Sequence, residues 1–256
     1  FEEEINLINN VFLAALIGFI AGIVASFFGI GGGVIFVPSL IIIFGFEPAA
    51  AVATSLLAII FTSLSSVTAY TRKKLVKHKE GLFFVLASIP GALLGAYLTS
   101  ILPGRTIRII FSFFLFFTAY NIAKNKGKES LKHHKRVEGA NKKLAVIAFF
   151  TAGIASGLLG IGGGILFVPA MVILIGFDIH EAIATSAFII LITTTFGVLE
   201  HLILGHVNFL FGVLFGLFGV LGAQIGAIIS IRTQSRTLRI LFAFLLVVSG
   251  LRLLIM

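Results

Sequence analysis

Residues 29–38 read GIGGGVIFVP, and residues 160–169 read GIGGGILFVP. Eight of the ten positions are identical, and the other two exchange one aliphatic residue for another. The offset, 131 residues, is about half the chain. A segment recurring at that distance marks a duplication. A glycine run inside a long apolar stretch marks interrupted backbone, and in a lipid-soluble chain the pair predicts a transport site between two halves.

Lipid solubility follows from composition. Apolar residues make up 59% of the chain and charged residues 11%, against ~25% charged in soluble domains. A water-soluble domain of 256 residues could not hide that much apolar surface, so an integral membrane protein in a lipid bilayer is expected. Net charge is +9, and 18 of the 19 Lys and Arg residues fall between apolar runs or within the first four residues of one; Arg252 is the exception. A nucleic-acid reader would carry them on a folded face with aromatics between, so no nucleic-acid partner is expected; here they read as topology signals. With no cysteine, disulfides and thiolate metal sites are excluded. The acidic start, FEEE, is opposite to a signal peptide's basic one, and no cleavable signal is expected.

Outward from the glycines, apolar runs fall at 7–28, 32–45, 49–70, 81–102 and 105–123, then at 144–159, 163–177, 182–204, 208–231 and 236–256. Most approach the ~20 residues that cross a bilayer as helix. The register of the two copies holds without a gap. Gly45-Phe46-Glu47 matches Gly176-Phe177-Asp178, and Ala53-Thr54-Ser55 matches Ala184-Thr185-Ser186. Gly91, Ala92, Gly95 and Ala96 match Gly222, Ala223, Gly226 and Ala227; Arg105, Thr106 and Arg108 match Arg236, Thr237 and Arg239. The expected organisation is a first transmembrane repeat over 1–123, a basic cytoplasmic linker over 124–143 and a second repeat over 144–256.

The linker holds eight Lys and Arg against two Glu, and the loop Arg72–Lys79 holds five Lys and Arg, so both should be cytoplasmic. The loop matching Arg72–Lys79 in the second half, Gly205-His206-Val207-Asn208, has no formal charge, while 232–239 carries three Arg. That shift predicts an inverted repeat of five segments per half, with both termini outside. One segment resists it. Gly33 to Gly45 is about 13 residues, or ~20 Å of helix, too short to cross alone. A re-entrant segment there would leave four spans per half and parallel repeats. The expected fold is an all-α polytopic membrane protein, two homologous halves in an inverted repeat, with about ten segments including two short broken or re-entrant helices.

Gly31, Gly32 and Gly33 with Gly162, Gly163 and Gly164 are the leading substrate-binding candidates. Lipid forbids broken backbone unless protein or a water-filled cavity surrounds it, and the helix starting after each break points free N–H groups at it. The alternative is plain close packing of helices. Pro38 and Pro169, five residues past the last glycine, are helix-break residues. Thr54, Ser55, Thr185 and Ser186 can either ligate an oxyanion or bond back to their own helix. Thr62, Ser63, Ser65, Ser66, Thr68 and Thr193–Thr195 extend that polar stripe. Gln224, where the first half has Leu93, either enters the cavity or ties helices together. Glu200 and His201 are proton-coupling candidates, or a solvated interfacial pair. Glu47 and Asp178-Ile-His180-Glu181 read as helix caps. Small-residue pairs such as Gly18/Gly22, Gly91/Gly95, Gly153/Gly157 and Gly222/Gly226 read as packing faces, within the protomer or in a homodimer. No catalytic set, metal cluster or cofactor motif is present in the sequence.

These motifs together resemble the sulfite exporter TauE/SafE family of membrane permeases. The likeness rests on the doubled glycine motif before a Val-Pro helix, the Ala-Thr-Ser of the next helix, the Gly-His-Val-Asn loop and the Gly-Ala-x-x-Gly-Ala segment before an Arg-rich turn. It covers about residues 11–254. It implies transport of small sulfur oxyanions or organosulfonates, such as sulfite, across a bacterial or archaeal plasma membrane. Carried over by position, the motif residues are Gly31–Gly33, Pro38, Thr54, Ser55, Gly162–Gly164, Pro169, Thr185 and Ser186. The expected function is a secondary transporter of such an anion and not an enzyme. An anion channel, or an intramembrane enzyme, is the alternative.

Overall fold

Where backbone groups meet no water, an apolar run must satisfy them within itself, and a helix does so. The computed structural model describes residues 2–124, 142–232, and 244, 247, 248, 250, 251, 254 and 255. Most of the expected linker, the Arg232–Arg239 turn past Arg232 and the packing of the segment 236–256 lie outside the described residues. The remainder is helical: α1 (Glu2–Phe28), α2 (Gly33–Ile42), α3 (Pro48–Arg72), α4 (His78–Ile101), α5 (Gly104–Lys124), α6 (Lys142–Leu159), α7 (Gly164–Ala170), α8 (Ile179–Ile203) and α9 (Phe209–Arg232). A π-helical turn, Met171–Ile175, extends α7. Among the described residues there is no strand, and five helices are long and apolar enough to cross a membrane.

The helix limits repeat at the spacing of the glycine motif. α3 and α8 begin and end at that same offset, and so do α4 and α9. Local signals place these ends. Pro48 starts α3, its missing N–H costing nothing at a first helical position. The Asp178 side chain caps α8 by accepting from His180 N at 2.9 Å. Lys74 is the one described non-glycine residue with positive φ, at +57°, where the second copy has Gly205 at +72°. Lys74→Gly is therefore expected to raise stability by up to ~1 kcal/mol, the left-handed cost less glycine's entropy. A thermal melt in detergent checks this, and an unchanged melt refutes it.

α3 and α8 form the centre: 67% and 61% of their apolar windows are buried, against 39% to 44% for α1, α4 and α9. They run in opposite directions. The start of α3 lies at the end of α8, where Asn208 N donates to Thr54 Oγ1 at 3.0 Å. The start of α8 lies at the end of α3, where Lys77 N donates to Thr185 Oγ1, also at 3.0 Å. There too Lys77 Nζ pairs with Glu181 Oε1 at 2.7 Å. Around this pair each half's first helix packs on the other half's fourth. Gly18 and Gly22 of α1 abut the backbone of Phe215 and Gly219, and Gly222 and Gly226 of α9 abut Phe19 and Ile23. α4 and α6 meet in the same way through Gly91, Gly95, Gly153 and Gly157. The glycine pairs thus act as packing faces inside the protomer, letting helix backbones touch. Leu86, Phe113, Phe117, Leu217 and Leu221 point outward and exposed, the surface a helix presents to lipid.

α2 turns back on α1. Phe36 stacks on Phe215 of α9, while Phe44, eight residues later, meets Phe211, four residues earlier. α1, by contrast, runs parallel to α9. Reversal requires the broken backbone between them.

Candidate functional site: two crossed glycine turns

α1 stops because Gly29 takes φ +66°, and Ile30 N closes the end on Ala25 O at 3.0 Å. Gly31 and Gly32 follow at +86° and +87°; Gly162 and Gly163 both stand at +77°. Successive left-handed residues are a conformation that side chains resist, so glycine is required here. The two turns cross. A Cβ on Gly33 would fall on the carbonyl oxygen of Gly160, and one on Gly164 on that of Gly29. Ile59 and Ile190 side chains flank Gly31 and Gly162. All six glycines are buried. Among the described residues, no acceptor pairs with the N–H groups of Gly31 to Val34 or of Gly162 to Ile165. Buried N–H groups are rarely left that way.

The carbonyls on the other side of each break are taken up by side chains. Three bonds hold the first tip: Tyr70 Oη to Ser26 O at 2.7 Å, Ser230 Oγ to Phe27 O at 3.0 Å and Ser186 Oγ to Gly29 O at 2.6 Å. Three contacts at the same offset hold the second. His201 Nε2 lies 3.4 Å from Gly157 O, Thr99 Oγ1 donates to Leu158 O at 3.2 Å, and Ser55 Oγ donates to Gly160 O at 2.8 Å. A helix leaves its last carbonyls without partners; here five hydroxyls and one imidazole from neighbouring helices stand where water would otherwise meet them.

The predicted residues divide accordingly. Gly31–Gly33 and Gly162–Gly164 come together at the centre. Ser55 and Ser186 stand beside them, each committing its proton to the opposite glycine turn. Thr54 and Thr185 receive loop N–H groups at the two ends instead. Pro38 is buried inside α2, and Pro169 lies within α7. Gln224 Nε2 donates to Ser65 O at 3.0 Å and Ser65 Oγ at 2.9 Å, tying α9 to α3. Glu200 is partly exposed, whereas His201 is fully buried; no bond joins them among the described residues. Asp178 caps as expected, while Glu47 at the start of α3 makes no side-chain cap bond. Ser26, Tyr70, Thr99, Ser156 and Ser230 were not legible as site residues. The signal was available for two of them: Thr99 and Ser230 are hydroxyls at matching positions of the two copies. Ser26 Oγ, Ser63 Oγ and Ser156 Oγ are buried with no partner among the described residues.

A family model described as sulfite exporter TauE/SafE matches residues 14–253. The chain belongs to the sulfite exporter TauE/SafE family. A protein of Bacillus subtilis (strain 168) described as "Probable membrane transporter protein YunE" is 34% identical, covering 94% of this chain and 96% of its own length. A "Probable membrane transporter protein" of Sinorhizobium sp. is 32% identical over 97% and 93%. A counterpart from Methanocaldococcus jannaschii is 26% identical over 93% of each. No solved structure matches the chain. It is a membrane-embedded member of a family of transporters, and the motifs read from its sequence all lie inside the matched span.

Proposed function

We propose that the protein is a multi-pass secondary transporter of the plasma membrane that carries a small sulfur-containing anion, binding it at the crossed glycine turns. The observation that carries this is a set of N–H groups without acceptors among the described residues, four on each turn and all but that of Ile165 on buried residues, at the starts of two helical runs. Helix starts favour anions through their free N–H groups and dipole, and an oxyanion presents several acceptors at once. The family's name supplies the sulfur chemistry.

Antiparallel α3 and α8 support an inverted repeat of 1–123 and 144–256. In this reading α1 and α2 form a hairpin dipping into the membrane from one face, and α6 and α7 form its counterpart from the other. Each half then has five directed segments, the second of them short, so a segment that turns back is compatible with inversion. The Arg72–Lys79 loop and the linker are cytoplasmic by their charge. The α8–α9 loop and both termini lie outside. Three contacts seal each hairpin tip, and breaking one set while keeping the other gives access to alternate sides.

Purified protein in detergent, heated with sulfite, sulfate, thiosulfate, sulfoacetate or taurine at fixed ionic strength, tests the binding step. At 100 times its dissociation constant a ligand of the folded state adds ~2.7 kcal/mol of stability. We expect at least one of the sulfur anions to raise the melting temperature above a chloride control. No shift with any of them would overturn the substrate assignment.

A further inference from the structure

His201 and Tyr70 hold equivalent places in the two copies, and both are fully buried, at 0% and 1% exposure. Each reaches the carbonyl at the matching position of a hairpin tip, Gly157 for His201 and Ser26 for Tyr70. The chemistry differs. A carbonyl only accepts, so the His201 contact needs the proton on Nε2 and leaves Nδ1 a bare acceptor. Nδ1 is buried with no partner among the described residues, and so is Nδ1 of His206, whose ring centroid lies 5.8 Å away. A phenol keeps one charge state across the physiological range, whereas an imidazole does not.

We propose that His201 is a proton-binding site controlling the seal at the α8–α9 end, so that protons arriving from that face stabilise the state in which the α6–α7 tip has parted from α8. The sign follows from the surroundings. In the closed arrangement an imidazolium would be buried against one carbonyl and another imidazole. Glu200, next to it on α8, is partly exposed, and Glu47 at the start of α3 is exposed. α6 from Leu144 on, α7, and α9 from Phe209 to Ile231 carry no titratable side chain; α4 past Glu80 has only Tyr97, which is exposed. A buried charge without a carboxylate is costly, so the charged ring is favoured once water reaches it. Tyr70 gives the opposite seal no such dependence, and pH sensitivity is therefore confined to one face.

This inference rests on the alternating-access reading but not on the identity of the anion. Because the chain has no cysteine, a single reporter is clean. Val52 is fully buried, and its backbone meets Gly160 at the second tip. Val52→Cys protein in vesicles is labelled from outside with a membrane-impermeant maleimide between pH 8 and pH 6. Each rate is divided by that of Val52→Cys combined with H201Y, which cancels the thiol's own ionisation. We expect the ratio to rise on acidification, by up to ~10-fold per pH unit for one linked proton. The same rise is expected against H201Q, used if the Tyr variant fails to fold. Ile183→Cys, beside Gly29 at the Tyr70 seal, should show no rise. A flat ratio, an equal rise at Ile183→Cys, or no labelling of Val52→Cys at any pH would each overturn the assignment. An intact rise with no anion binding would sink only the substrate reading.

Discussion

Gly33→Ala and Gly164→Ala are each expected to yield far less folded protein than the parent, with the melting temperature of any survivor clearly lowered. Neither position has positive φ, so backbone strain is not the cause. The cause is contact. The added methyl would occupy the carbonyl oxygen of Gly160 in one variant and that of Gly29 in the other. Backbone cannot swing aside as a side-chain end can. Overpacking costs ~1–3 kcal/mol and more where nothing yields, and here the displaced carbonyls also anchor Ser55 and Ser186. Gly45→Ala is the internal control. It has φ +69° but open space around it, so it should lose only the left-handed cost of ~1–2 kcal/mol. Melts of the three variants in one detergent decide the matter. If Gly33→Ala were no worse than Gly45→Ala, the close crossing of the two turns would be wrong.

The same crossing marks how far a sequence can be read. The helices were legible because their cause is local: runs of apolar residues, Pro48 and Asp178 at starts, Gly29 and Gly160 at stops. The constant register between the halves was legible because matching residues recur at one offset in the sequence itself. Contacts between the halves were not, since they depend on direction. Thr54 and Ser55 are neighbours with equal claims as ligands, yet one meets the loop after α8 and the other a glycine carbonyl. Nothing local separates them. The short segment after each glycine run gives its length in the sequence but not its direction against α1, which is a tertiary property. The fold shows α1 and α2 as two directed segments with α3 opposed to α8. Gln224 reads equally well as cavity lining or tie, and only the position of Ser65 decides that its nitrogen is engaged. Tyr70 and His201 escaped comparison because they are chemically unlike, although the constant register aligns them.

Ser55→Ala and Ser186→Ala are expected to act in opposite senses on the same equilibrium. Each loses one buried donor and leaves a glycine carbonyl without its partner, a cost of ~1–3 kcal/mol. The loss falls on different tips. Without Ser55 the Gly160 tip is released, at the end where α3 begins and α8 finishes; without Ser186 the Gly29 tip is released at the other end. A two-state transporter weakened at one seal shifts toward the state open on that side. A bias near the lower end of that range, ~1.4 kcal/mol, is a tenfold shift. Impermeant labelling of Val52→Cys from outside should therefore rise ~10-fold with Ser55→Ala and fall by a similar factor with Ser186→Ala. Combining both substitutions should return the balance near its starting point while lowering the melting temperature additively, since the two bonds share no partner. Equal shifts in one direction would mean that the serines only stiffen the fold. Opposed shifts would mean that the repeated serines set the balance between two open states, the role that the doubled glycine turn makes possible.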